Sequence, residues 1–201
     1  MSLPAPSKGE KKVWPKHPAG SHVVVLADAI HLGFRVTNFS GNEKKQERVV
    51  LIWQSGKIEP DSPDGRRFEL ATEFTYSSYE NGNLRPFLES WLGVTFADEA
   101  EVEKVMQGLP ERVGTSGIAS IVHKAKDDKV YVNIKSLAPL MEGQEGLKVV
   151  GYTRNPYWAK KIEEYKKQAA EYDAKRAKPV QSIEEFPAAL EDDDDDGSLP
   201  F

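Results

Sequence analysis

At 201 residues, 39% of them hydrophobic, the chain can bury one good core but not two, so one domain with polar ends is expected. With no cysteine it forms neither disulfides nor thiolate zinc sites and has no cysteine nucleophile, and no stretch approaches the ~18 apolar residues of a membrane-crossing helix. The net charge of −5 hides a division: every Lys and Arg lies at or before Lys178, so residues 1–178 carry +3 and residues 179–201 carry −8. Such asymmetry fits either a polyanion-binding body with an acidic interaction tail or an ordinary domain with a solubilising one.

Residues 1–20, rich in proline and lysine, read as a flexible basic arm. From Ser21, SHVVVLADAIHLGFRV is β-branched and apolar enough for one bent strand or two short ones. GNEKKQ is a polar turn, and ERVVLIWQSG returns as a second strand, apolar on both faces as a central strand is. After the loop KIEPDSPDGR, the stretch RFELATEFTY alternates Phe68, Leu70, Thr72, Phe74 and Tyr76 with more polar residues, a half-buried third strand by its period of two. The period then changes. In NLRPFLESWLG, Leu84, Phe87, Leu88, Trp91 and Leu92 form a helical stripe, with Asn83 placed to cap the start and Gly93 to end it. A second short helix is capped at Asp98 and buries Val102, Val105, Met106 and Leu109. SGIASIVHKAKDDKVYVNIKSLAPL follows as two strands joined by a tight turn at Asp127 and Asp128, with Val130, Val132 and Ile134 on one face and Tyr131, Asn133 and Lys135 on the other.

Three strands, a helical insertion and a two-stranded hairpin form the order of a mainly β, five-stranded OB-fold barrel with its helix between strands 3 and 4, assigned to residues 21–140. A generic α+β sheet is the alternative. Residues 141–178 form a charged helical extension. Its sparse apolar positions, Trp158, Ile162, Tyr165, Ala169 and Tyr172, favour a solvated spacer over a helix lying on the barrel or mediating self-association. Residues 179–201 read as a disordered acidic tail.

No catalytic constellation can be assembled. His17, His22, His31 and His123 have no ligand spacing, and Gly114-Thr115-Ser116-Gly117 lacks the lysine of a phosphate loop. A non-enzymatic protein without metal or cofactor is therefore expected. A binding surface is easier to build, because single strands are held by a cationic groove along the phosphates and by rings on which bases stack. Basic residues fall in three places expected around one face: Arg35, Lys44, Lys45 and Arg48 at the first hairpin, Arg66 and Arg67 entering strand 3, and Lys124, Lys126, Lys129 and Lys135 along the last hairpin. Trp53, Tyr76, Tyr79 and Tyr131 interleave with them, as do Phe34 and Phe39. Trp53 shares a face with Val49 and Leu51, which leaves it either in the core or stacked on a base, whereas Tyr131 has the polar neighbours Asn133 and Lys135.

VVLIWQ in the second strand, NLRPFLESWLG in the insertion and the hairpin ending VYVNIKSLAPL closely resemble a family of bacteriophage single-stranded DNA-binding proteins with an OB-fold, over residues 21–140. The resemblance implies sequence-independent coating of single strands during phage DNA replication, recombination and repair in the host cytoplasm. The tail DDDDDGSLPF is similar to the acidic Pro-Phe ending of bacterial single-stranded DNA-binding proteins. It implies docking of replication or recombination partners through Asp192, Asp193, Asp194, Asp195, Asp196, Leu199, Pro200 and Phe201. The chain departs from the bacterial pattern in lacking a Gly/Gln-rich linker and in placing a charged helix before the tail. A non-DNA-binding acidic-tailed adaptor or inhibitor of a host protein is the alternative function, and a strand-annealing protein a further one; a homo-oligomer is compatible with each.

Overall fold

The computed structural model describes residues 15–60, 62, 64–127 and 129–177. The acidic tail with its tip and the first fourteen residues of the basic arm lie outside them. Five antiparallel strands form one sheet in the order β3-β2-β1-β4-β5: β1 (Gly20–Phe39), β2 (Asn42–Ile58), β3 (Arg67–Thr75), β4 (Ser116–Lys126) and β5 (Lys129–Ala138). Between β3 and β4 come helices α1 (Leu84–Leu92) and α2 (Glu99–Gln107) and the 3₁₀ turn Leu109–Arg112; helix α3 (Pro156–Ala177) follows β5. The sheet is open, with β3 and β5 at its edges. None of the described helices is long and apolar enough to cross a membrane.

β1 is a single strand whose register slips between Leu26 and Asp28 and again between His31 and Gly33. Bulges of this kind bend a strand and increase its twist, and here they let β1 pair with β4 over Gly20–Val25 and with β2 along nearly all its length. The turn into β2 is made by Ser40 (φ 50°) and Gly41 (φ 82°), where Asn38 Oδ1 accepts from Gly41 N at 3.1 Å. GNEKKQ is thus mostly strand rather than turn, and Lys44 and Lys45 lie in β2.

Trp53 is completely buried. Its ring stands edge-on to Trp91 at 4.9 Å, in a core formed by Val24 and Leu26 of β1, Val49 and Leu51 of β2, Leu70 and Phe74 of β3, and Leu84 and Leu88 of α1. The stripe read in NLRPFLESWLG is this buried face. Gly93 ends α1 with φ 67°, as its position in the sequence indicates. Asn83 does not cap: its backbone is helical and its side chain makes no cap hydrogen bond, whereas Asp98 accepts from Glu101 N at 2.9 Å at the start of α2. Gly117 lets the insertion come close, since a Cβ there would meet Trp91 Cδ1 at 2.9 Å and Ala138 O at 2.8 Å.

The opposite face of β1 and β2, built from Ile30, Leu32, Val50 and Ile52, is also buried, and α3 covers it. Trp158, Ile162 and Tyr165, spaced i, i+4 and i+7, make the contact, with Tyr165 only 3% exposed. The extension is therefore a docked helix and not a solvated spacer. Residues 141–155 strap it down through the polar groups of the sheet. Gln54 acts as a backbone surrogate, accepting from Val150 N and donating to Val150 O, both at 2.9 Å. Ser116 Oγ does the same for Leu147, at 2.8 and 3.2 Å. Asp28, 8% exposed, accepts from Tyr152 OH at 2.9 Å and from both arms of Arg154 at 2.7 and 2.8 Å. Burial and the Asp28 carboxylate push the Tyr152 phenol far above its ordinary range, so it remains a donor.

The end of the basic arm is likewise fixed. His17 is 2% exposed, Nε2 lies 2.6 Å from Ser55 Oγ and Nδ1 2.7 Å from Pro18 O, and the ring stands edge-on to Phe68. Its carbonyl accepts from His123 Nε2 at 2.7 Å. Burial lowers the His17 pKa below 6.5, the Pro18 hydrogen bond opposes this, and the neighbouring His22, Lys57 and His123 add to the lowering.

Two predictions follow from the packing. Tyr165→Ala lowers the unfolding free energy by about 3 kcal/mol in urea titrations, whereas Tyr157→Ala, at an exposed ring on the same helix, lowers it by less than about 1 kcal/mol. Because a histidine with a depressed folded pKa is neutral in the native state and takes up a proton on unfolding, stability falls as pH drops from about 6.5 toward the lower native value. Thermal melts between pH 7 and 5.5 show this slope, and His17→Gln flattens it.

Candidate nucleic-acid interface

The structure divides the cations into two sets. Those on β1, β2 and β3 are largely committed to carboxylates or carbonyls. Glu73 sits at the meeting point of three elements: Arg48 Nε donates to it at 3.0 Å, Lys161 Nζ of α3 at 2.5 Å and Tyr165 OH at 3.2 Å, with Arg35 at 3.8 Å. Burial works to raise the Glu73 pKa, but the hydrogen bonds and charges of Lys161 and Arg48 outweigh it and hold the carboxyl below its usual value. Arg48 also donates to Thr75 Oγ1 at 2.7 Å. Lys45 is paired with Asp173 of α3 at 2.7 Å and lies over the Phe34 ring at 4.9 Å. Arg66 reaches Glu69 at 3.4 Å, and Arg67 donates to Lys148 O at 2.9 Å. Lys44 and Lys57 of this set are exposed without such a tie among the described residues.

The second set lies on the β4–β5 hairpin. Lys124 is opposite Tyr131 and Lys126 opposite Lys129 in the strand register, which puts each pair on one face. Asn133, opposite Val122, continues this outward face along β5. The ladder slips between Ser120 and Ile121, and Lys135 is the extra residue on β5. All four lysines are exposed and Tyr131 is 48% exposed. Every ion pair among the described residues involves other cations.

The remaining rings differ in what they can offer. Trp53, in the core, has no face free for stacking, which resolves the two readings of its strand position. Tyr76 is half-buried and edge-on to His31 at 5.7 Å, and His31 lies 2.7 Å from Glu47; burial, with Glu47 and Glu103 nearby, raises the phenol pKa. Tyr79 is 57% exposed in the loop before α1, its hydroxyl accepting from Asn81 Nδ2 at 3.2 Å. The side chain of Phe39 and the tail residues Asp192 to Phe201 lie outside the described residues. Among the described residues no group of three His, Asp or Glu side chains converges as a metal site.

Sequence reasoning did not find the cleft beside the hairpin, of about 640 Å³, between β3, β5 and the start of α1. Thr72, Asn83, Asn133 and Ser136 line it with Phe74 and Phe87, and Lys124 and Lys135 belong to both cleft and hairpin. Only the failure of Asn83 to cap its helix marks it, and that is a property of the fold. No protein-family model matches the chain, nor does any curated protein sequence match it.

The division has a direct test. Glu73→Ala strands Arg48 and Lys161, each with a largely buried side chain, and lowers stability by about 2 kcal/mol in urea titrations. Lys129→Ala, on the exposed hairpin, changes it by less than about 0.5 kcal/mol.

Proposed function

We propose that the protein binds single-stranded DNA, chiefly through its phosphate backbone, on the outward face of the β4–β5 hairpin, and coats exposed strands during phage DNA replication and recombination. One observation carries this reading: four exposed lysines free of ion pairs among the described residues flank an exposed tyrosine on one hairpin, while carboxylates pair with Arg35, Lys45 and Arg48 of the neighbouring strands. A strand laid along the hairpin releases condensed counterions at each phosphate that meets a lysine, and Tyr131 supplies a platform for a base. The strand order β3-β2-β1-β4-β5, with helices between β3 and β4, supports viewing the sheet as an OB barrel parted between β3 and β5. The acidic segment Asp192–Asp196 and the tip Leu199-Pro200-Phe201 are assigned to partner docking on sequence alone: an apolar end with aspartates beside it suits a partner pocket rimmed by basic residues.

Titration of fluorescent oligo-dT at several salt concentrations tests the reading. Affinity falls steeply with salt, and Lys126→Ala and Lys129→Ala each reduce the slope of log K against log salt by about 0.7. Tyr131→Ala weakens binding by about 1 to 3 kcal/mol, and Lys45→Ala, whose ammonium is held by Asp173, leaves the slope unchanged. Equal affinity for duplex and single strand at every salt concentration defeats the proposal.

A further inference from the structure

We infer that the cleft between β3 and β5 is a nucleobase pocket, which gives the bound strand a base preference on top of its backbone affinity; this rests on the hairpin being the strand-binding face. The volume, about 640 Å³, falls in the range of roughly 300–1,000 Å³ typical of sites that take small ligands. The apolar floor is the half-buried Phe87, backed by the buried Phe74 with ring centroids 4.6 Å apart. Neutral polar side chains stand around it: Asn83 from the start of α1, Thr72 from β3, and Asn133 and Ser136 from β5. An asparagine amide presents a donor and an acceptor in one plane, which is the complement of a base edge and not of a phosphate.

Asn83 strengthens the case. It occupies the position at which an asparagine ordinarily caps a helix, yet its side chain makes no cap hydrogen bond, and the exposed residue lines the cleft. Charge is arranged consistently. The carboxylate of Glu73 at the cleft is committed to Arg48 and Lys161, while Lys124 and Lys135 lie where the cleft opens onto the hairpin. A strand whose phosphates follow these lysines can turn one base inward past Asn133 onto Phe87.

The experiment compares dA, dC and dT homopolymers of one length on the full chain and on the Asn83→Ala, Asn133→Ala double variant, each across a salt series. Both side chains are exposed, so the variant folds, as circular dichroism verifies. The wild type prefers one homopolymer by about fivefold or more, and the double variant compresses the three affinities to within about twofold with its salt slope unchanged. Equal homopolymer affinities in the wild type, or a preference the variant retains, overturn the pocket and leave the hairpin reading standing. Failure of the wild type to bind any homopolymer overturns both.

Discussion

The β1–β2 pair is apolar on both faces, and the rest of the molecule is arranged to keep both out of water. Val49, Leu51 and Trp53 point one way while Val50 and Ile52 point the other, so a single layer of helices leaves half of the strand uncovered. The insertion between β3 and β4 covers the first face and α3 covers the second. The strap that carries the chain to α3 crosses polar groups of the sheet, and Gln54, Ser116 and Asp28 satisfy its backbone and side chains. These partners make the crossing tolerable, because an unpaired polar group buried there would cost about 1 to 3 kcal/mol.

Covering the second face with a highly charged helix has an electrostatic result. Along its buried edge α3 brings Lys161 to Glu73 and Asp173 to Lys45, and Lys175 reaches Glu43. Of these pairs only Asp173 neutralises a strand cation, Lys45, while Lys161 and Lys175 occupy strand carboxylates. The β4–β5 hairpin lies across β1 from β2 and β3, and its lysines keep their charge uncompensated by ion pairs among the described residues. Which cations stay free is thus decided by pairing between distant elements, Glu73 of β3 holding Arg35 and Arg48 and Asp173 of α3 holding Lys45, more than by where lysines and arginines occur in the sequence.

The open edges of the sheet matter in the same way. β3 and β5 approach each other without pairing, and the start of α1 lies beside them, so the cleft joins neutral polar side chains from three elements to the cationic hairpin. An open edge is normally a liability for unwanted strand pairing. Here the gap is narrowed by α1 and flanked by Lys124 and Lys135, which discourages a second sheet while leaving room for a smaller planar group.

The sequence by itself determined the elements and their order, because periods of two and 3.6, glycine stops and apolar runs are local properties of the chain. The double burial of VVLIWQ, the stripe Leu84, Leu88 and Trp91, the Asp98 cap and the polar outer face of β5 were all legible in this way. Only the tertiary structure decided that α3 docks, that Trp53 is core, that His17 is buried at the end of the basic arm and that Asn83 faces a cleft instead of capping. Those outcomes depend on partners far apart in the chain, Lys45 with Asp173 across 128 residues and His17 with Ser55 across 38. Local periodicity says which face of an element is apolar, but which surface comes to cover it, and which charges are neutralised when it does, follows from the packing of the whole chain.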